Sequence, residues 1–107
     1  MKKGTIIYRV MRTLDDKWYY CIYELVKCTC NTEKRVAKLL VTPIITYYDA
    51  RPGSCSTIIV NYNSLDIIDY WAHDWDYVTT DQYLARYVFL EMTRDENQSN
   101  NEDASSI

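Results

Sequence analysis

The residues best suited to chemistry in this chain are its single histidine, His73, and two aspartates that precede it. Asp66, Asp69 and His73 are spaced i, i+3 and i+7, so on a helix they would share one face. Two carboxylates and an imidazole there would bind a divalent metal, or an aspartate would orient the histidine as a general base. Nothing else in the chain completes such a site. We therefore keep a small metal-dependent enzyme centred on His73 as an alternative and predict a protein that is not an enzyme.

The cysteines are the second candidate for a metal site. Cys28 and Cys30, with Cys55 or His73, would offer four zinc ligands. Paired zinc-binding cysteines are usually separated by two residues, and here one residue separates them. We therefore predict free thiols, no metal and no cofactor.

Aromatic residues give the main indication of binding, because eleven tyrosines accompany a single phenylalanine. A tyrosine hydroxyl needs a polar partner, so half-exposed tyrosine rings are typical of recognition surfaces. Adjacent strand residues point to opposite faces, so the aromatic clusters cannot all enter one core. The alternative is a sheet whose two faces are covered by its own helices. The predicted partner-binding residues are Tyr20, Ile22, Tyr47, Tyr48, Asp66, Asp69, Tyr70, Trp71, Asp74, Trp75, Asp76 and Tyr77.

Charge is divided unevenly along the chain. Residues 1–50 hold nine Lys/Arg against five Asp/Glu, whereas residues 51–107 hold three against ten. This division favours a charged partner that is met from one side. Five acidic residues would then imitate the phosphates of DNA and occupy the basic cleft of a nucleic-acid-processing or defence enzyme. They are Asp66, Asp69, Asp74, Asp76 and Asp81.

A second alternative is binding of single-stranded nucleic acid by the N-terminal hairpin. Rings beside basic side chains would stack bases and contact phosphates. The overall net charge of −3 argues against it. The residues concerned are Tyr8, Arg9, Arg12, Lys17 and Tyr19.

Composition places the protein in a broad class. Low alanine, glycine and proline contents are typical of AT-rich viral, phage or mobile-element genes. Arg9 and Arg12 interrupt the N-terminal apolar stretch before a signal peptide can form, and no run is long enough to span a membrane. We expect a cytoplasmic module, in the host cytoplasm if viral, that inhibits or modulates a host protein and that can form a homodimer.

The elements that position these residues begin with a hairpin. Residues 5–12 and 18–26 are rich in β-branched and aromatic residues and flank a turn-forming cluster. A two-residue loop at 15–16 would set Val10 opposite Cys21 on the core face. The opposite face would be half apolar and would need a covering helix or partner.

A second hairpin is expected further along the chain. Residues 44–48 and 56–62 flank Pro52 and Gly53, which suit the central positions of a type II turn. Residues 35–42 could form a strand or a short helix, and we predict a strand because the segment ends in β-branched residues before a proline.

From residue 64 the spacing of apolar residues becomes helical. Ser64 would cap a short helix, and Thr79 would begin a capping box for a second one. The second helix would carry an apolar stripe of Tyr83, Leu84, Tyr87, Val88 and Met92. The predicted fold is therefore α+β, an antiparallel sheet of about four to five strands in two hairpins packed with one or two C-terminal helices. Residues 1–94 would form one domain and residues 95–107 a disordered polar tail.

Overall fold

Residues 1–105 fold into one antiparallel sheet and one helix, as seen in a computed structural model. The structure describes the backbone of residues 1–105 and the side chains of residues 1–94. Its elements are β1 (Ile6–Arg12), β2 (Trp18–Asn31), β3 (Val36–Ile45), β4 (Ser56–Asn61), β5 (Asp69–His73), β6 (Asp76–Thr79) and α1 (Gln82–Ser105). The α+β class is confirmed, with six strands rather than four to five within the described residues.

Strand order explains how the sheet curls. The order is β4-β3-β2-β1-β6-β5, and every neighbouring pair is antiparallel. The first four strands form a meander, and the chain then crosses to the other edge to add β5 and β6. The edge strands β4 and β5 contact each other, so the sheet is curled around its inner face.

The inner face of the sheet holds the larger core. Alternate β2 residues Cys21, Tyr23 and Leu25 are buried there, in keeping with the two-residue period of a strand. The other buried members of this core are Ile7, Ala37, Leu39, Val41, Ile58, Val60, Ile68 and Val78.

Helix α1 covers part of the outer face. Its Ala85 is buried against Val10 and Tyr77, which lie side by side on β1 and β6. Tyr8, Trp18, Tyr20, Val88 and Phe89 complete this smaller cluster. Both faces of the sheet therefore bury aromatic rings, and the covering helix expected over the outer face of the hairpin is α1.

The predicted register of the first hairpin is wrong by one residue. The structure sets Val10 opposite Tyr20 and Arg9 opposite Cys21, because the loop has three residues instead of two. A one-residue slip moves every β1 side chain to the other face. Ile7 therefore enters the inner core, whereas Val10 points outward beneath the helix.

The strand predicted over residues 35–42 is confirmed, and β3 continues through Pro43 to Ile45. Proline cannot donate to the ladder, and the pairing with β2 is irregular there. The predicted pairing of residues 44–48 with 56–62 is wrong, since β4 pairs with Val36–Val41. That register places the buried residues of β4 beside those of β3.

The connection between β3 and β4 contains the predicted type II turn. The amide of Ser54 donates to the carbonyl of Arg51 at 3.0 Å, and Gly53 has a φ of 78°. A residue with positive φ is required at this turn position, and glycine supplies it without steric strain.

The helix predicted after Ser64 is wrong, because this region forms β5 and β6. Tyr70 and Ala72 are half-buried while Asp69, Trp71 and His73 are exposed, which is the alternation of a strand. Short apolar segments fit both periods, and here the aromatic and β-branched residues favour the sheet.

The second predicted helix exists as α1, but Asp81 caps it rather than Thr79. The Oδ1 atom of Asp81 accepts hydrogen bonds from the amides of Tyr83 and Leu84 at 2.9 and 3.3 Å. Thr79 is buried at the end of β6. The predicted stripe is divided, since Val88 and Met92 are half-buried, with Val88 packed against the outer face of the sheet, whereas Tyr83, Leu84 and Tyr87 are exposed.

The predicted disordered tail covers residues 95–107. The structure does not describe the side chains of these residues or the backbone of residues 106–107. The disorder of this tail stays a prediction. Over the described residues, no helix combines the length and apolar character needed to cross a membrane.

Candidate functional site

Three connections meet at one end of the sheet and enclose a groove. The β1–β2 loop, the start of the β3–β4 connection and the β5–β6 turn come together because β1 pairs with both β2 and β6. The amide of Arg12 donates to the carbonyl of Trp75 at 2.9 Å, which ties the β5–β6 turn to the hairpin. We call this feature the hairpin-end groove, and it encloses about 680 Å3. Its lining residues are Met11, Arg12, Thr13, Leu14, Asp15, Asp16, Tyr47 and Trp75.

The β1–β2 loop presents Leu14 to solvent. The amide of Asp16 donates to the carbonyl of Thr13, and the amide of Thr13 donates to the carbonyl of Lys17, both at 3.0 Å. Asp16 has a φ of 60°, so the loop is a type I turn followed by a left-handed residue. The Thr13 hydroxyl also donates to the Asp15 carboxylate. These bonds fix the loop and leave the Leu14 side chain at its tip, with an exposure of 107 %.

Aromatic contacts hold the rings of the groove. Tyr47 packs against Tyr19 with ring centroids 4.9 Å apart, and meets Tyr48 edge-on at 5.1 Å. The Trp75 ring stacks on His73 at 5.0 Å with an interplanar angle of 15°. Rings held by neighbours lose little conformational entropy when a partner binds. Tyr47 and Trp75 therefore form a preorganised aromatic wall of the groove.

The rim of the groove is charged. Arg12 lies 3.9 Å from the Asp16 carboxylate and 5.9 Å from the centre of the Trp18 ring. The hydrogen bond from Thr13 lowers the pKa of Asp15, which is therefore ionised at neutral pH. Two carboxylates and one guanidinium thus surround an apolar floor. This arrangement suits an extended segment that carries a large apolar side chain next to a basic one.

An ion pair under the groove fixes the β5–β6 turn. The guanidinium of Arg9 donates from Nε and Nη2 to the two carboxylate oxygens of Asp76, at 2.8 and 2.7 Å. Asp76 is 6 % exposed and follows Trp75 directly. Its hydrogen bond is the main cause that raises the pKa of Arg9. Asp76 therefore serves the fold and is not available to a partner.

The structure brings four of the predicted binding residues to this end of the sheet. Tyr47 and Trp75 line the groove, Tyr48 contacts Tyr47, and Asp74 belongs to the same turn as Trp75. Their role in binding stays a prediction.

Four further predicted residues lie on the outer face of the sheet. Tyr20 packs beneath the helix against Phe89, with ring centroids 5.8 Å apart. Ile22 is half-buried on the same face, and Trp71 packs on Tyr77 at 4.8 Å. Tyr77 is only 2 % exposed. These residues do not border the groove.

Asp69 and Tyr70 lie at the other end of the sheet. With Lys34 and Arg35 they line a polar cavity of about 290 Å3. Asp66 belongs to the turn that precedes β5. None of these three predicted residues is part of the hairpin-end groove.

The enzyme-like constellation is not assembled. The prediction that Asp66, Asp69 and His73 share a helical face is wrong, because Asp69 and His73 are the first and last residues of β5. At strand spacing their Cα atoms are about 13 Å apart. In the part of the chain with described side chains, no group of three or more His, Cys, Asp or Glu residues is placed to hold a metal.

The residues of the nucleic-acid alternative are divided between the two faces. Arg9 is held by its ion pair, and Tyr8 is half-buried beside the helix. Tyr19 packs against the inner core, while Arg12 and Lys17 lie at the end of β1 and in the β1–β2 loop. They do not form one continuous stacking surface.

Leu14 is the residue that sequence reasoning missed. It lies between Thr13 and Asp15, so it belongs to a cluster of turn-forming residues. A leucine in such a cluster lies in the loop between two strands and has no place in the alternating pattern of either strand. That mismatch was the available signal for an exposed apolar contact.

The comparisons with known proteins provide no relative from which a function could be transferred. No protein-family model matches the chain, and neither a curated protein nor a solved structure matches it.

Proposed function

We propose that this protein is a non-enzymatic binding module whose hairpin-end groove docks an extended segment of a partner protein. The observation that carries the proposal is the complete exposure of Leu14 beside an aromatic wall. Neither the turn nor the core needs a leucine at that position, whereas burying one against a partner contributes about 1.5–3 kcal/mol.

The charges of the rim indicate the chemistry of the partner. Asp15 and Asp16 are both exposed, and Arg12 offsets part of their charge. A partner segment that places lysine or arginine beside an apolar side chain would complement this rim. A host protein as the partner, and a viral or mobile-element origin, follow from composition alone and stay predictions.

The acidic surface expected to imitate DNA gains no support from the fold. Asp76 is paired with Arg9, Asp81 caps the helix, and Asp69 accepts a hydrogen bond from a tyrosine hydroxyl at 2.7 Å. Three of the five carboxylates are therefore used inside the fold. The proposal accordingly rests on the groove and not on a row of carboxylates.

A peptide library tests the proposal without knowledge of the natural partner. Random peptides displayed on phage are selected on the wild-type chain, and the dissociation constants of the selected peptides are measured by titration calorimetry. We expect a shared motif of one large apolar residue next to Lys or Arg. Leu14→Ser should weaken binding by about tenfold or more, given the burial energy of leucine.

Leu90→Ser is the matched control, because Leu90 is an exposed leucine on the helix and is not one of the residues that line the groove. It should leave the dissociation constants unchanged. Selected peptides that bind Leu14→Ser as tightly as wild type would show that the groove is not the binding site.

A further inference from the structure

Helix α1 has two apolar faces, and the sheet covers only one of them. Ala85 is buried, and Val88 and Phe89 pack against the outer face of the sheet. On the opposite side Tyr83, Tyr87 and Leu90 are 81, 63 and 65 % exposed. Large apolar side chains that form a contiguous patch on the solvent face of a helix are typical of an interaction site.

The spacing of the exposed residues is that of a helical seam. Tyr83, Tyr87, Leu90 and Arg94 follow one another at intervals of four, three and four residues. This is the alternation of d and a positions in a heptad, which forms a straight stripe facing a second helix. We call these four residues the helix seam.

We propose that a second copy of this chain docks on the helix seam, with the two α1 helices parallel. Charge complementarity selects this occupant. Arg86 precedes Tyr87 and takes a g position, while Glu91 follows Leu90 and takes an e position. In a parallel pair a g residue meets the e residue five positions further along the other helix. Arg86 therefore meets Glu91 of the second copy, and the twofold axis repeats that contact.

The geometry of the fold leaves room for this pair. Because the sheet packs against the face of α1 opposite the seam, the sheets of the two copies lie on the outside of the dimer. Arg94 lies 3.6 Å from Glu91 of its own chain, so its charge at the seam is partly neutralised. Stable interfaces usually bury about 800 Å2 per partner, and a seam of this length buries less. The dimer is therefore reversible and depends on concentration.

The mass of the full chain in solution tests the proposal. Sedimentation equilibrium over a concentration series should show a mass that rises from 12.7 kDa towards twice that value. The double variant Tyr87→Ser/Leu90→Ser should remain at the monomer mass. Both side chains are exposed, so at a concentration where wild type is monomeric the variant should have the same circular dichroism spectrum and melting temperature as wild type. Leu14→Ser, which alters only the hairpin-end groove, should dimerise like wild type.

Charge reversal tests the orientation. Arg86→Glu and Glu91→Arg each bring like charges together in a parallel pair and should weaken the homodimer about tenfold. An equimolar mixture of the two variants should recover a heterodimer, because each copy then offers the charge that the other lacks.

Three results would overturn the proposal. A wild-type chain that stays monomeric at about 1 mM would show that no copy docks. Dimerisation of the Tyr87→Ser/Leu90→Ser variant at the wild-type affinity would place the contact elsewhere. Indifference of the dimer to both charge reversals would show an antiparallel pair, in which these residues do not meet.

Discussion

Replacing Asp76 with alanine removes the carboxylate that neutralises the half-buried guanidinium of Arg9. The side chain of Arg9 is 23 % exposed and that of Asp76 is 8 % exposed. Removing one member of a buried pair destabilises a protein by about 3–5 kcal/mol, because the remaining charge is left without a partner. Arg9 keeps some contact with water and a polar neighbour in Tyr23. We therefore expect the low end of that range, about 3 kcal/mol.

Urea unfolding measures this loss. A domain of this size has an m-value of about 1–3 kcal/mol/M, so the midpoint should fall by about 1–3 M. Circular dichroism reports the whole sheet, whereas tryptophan fluorescence includes Trp75, which is adjacent to the substituted residue. Agreement between the two signals would show that the loss is global.

A double variant that removes both charges tests whether the destabilisation comes from leaving the Arg9 charge without a partner. Arg9→Met/Asp76→Val replaces both charges by apolar groups, and such replacements are often neutral or stabilising. We expect its free energy of unfolding to lie within about 1 kcal/mol of that of wild type. The reasoning is refuted if Asp76→Ala alone costs less than about 1 kcal/mol, or if the double variant loses the sum of both single variants.

Three further predictions concern buried hydroxyls and the helix cap. Burial raises the pKa of Tyr23 and Tyr77 above the ordinary value of 10.0. The two neutral phenols therefore contribute fully to the stability of the fold below pH 10, and this contribution is lost as pH rises above 10. Urea midpoints that do not fall between about pH 8 and pH 11 would contradict this, and Tyr23→Phe should reduce the fall. Among the described side chains, the Tyr20 hydroxyl is buried without a hydrogen-bond partner, so Tyr20→Phe should stabilise by about 1 kcal/mol. Tyr77→Phe, which loses a 2.7 Å hydrogen bond to a carboxylate, should lower the free energy of unfolding by about 1 kcal/mol. Equal effects of Tyr20→Phe and Tyr77→Phe would contradict the conclusion that only the Tyr77 hydroxyl of these two is hydrogen-bonded. Asp81→Ala should lower the unfolding free energy by about 1 kcal/mol, because the first turn of α1 loses its acceptor, and no change in the urea midpoint would argue against that role.

Three elements were predicted correctly from local pattern, although at residues 35–42 the pattern also allowed a short helix. The β1–β2 hairpin, the strand over residues 35–42 and the helix after Asp81 all exist. Each has either several β-branched residues or a cap followed by a regular helical stripe. In these segments the local preference of the residues agrees with the tertiary structure, so the residue pattern alone predicts the type of element.

The register of β1 depends on information that periodicity does not carry. Both Ile7 and Val10 are apolar and both are buried, one on each face of the sheet. Because either face of β1 has an apolar residue to bury, the pattern fits two registers. The left-handed conformation of Asp16 decides between them, since it adds a third residue to the loop.

The candidate site was only partly predictable for a related reason. Tyr47, Tyr48 and Trp75 were expected to bind, and the fold places them together. Asp76 and Tyr77 were expected beside them, yet both are buried. Adjacent residues at a strand end differ in burial according to the pairing of the strand, which a single sequence does not reveal.

The distribution of the tyrosines links the two proposed surfaces. All eleven lie within the described side chains, and two are buried, five are half-buried and four are exposed. The exposed four are not scattered, because Tyr47 and Tyr48 lie at the hairpin-end groove while Tyr83 and Tyr87 lie on the helix seam. The excess of rings over what two small cores can hold is thus divided between two surfaces that share no residue. A variant of one surface therefore serves as the control for the other, so loss of peptide binding and loss of dimerisation can be measured independently.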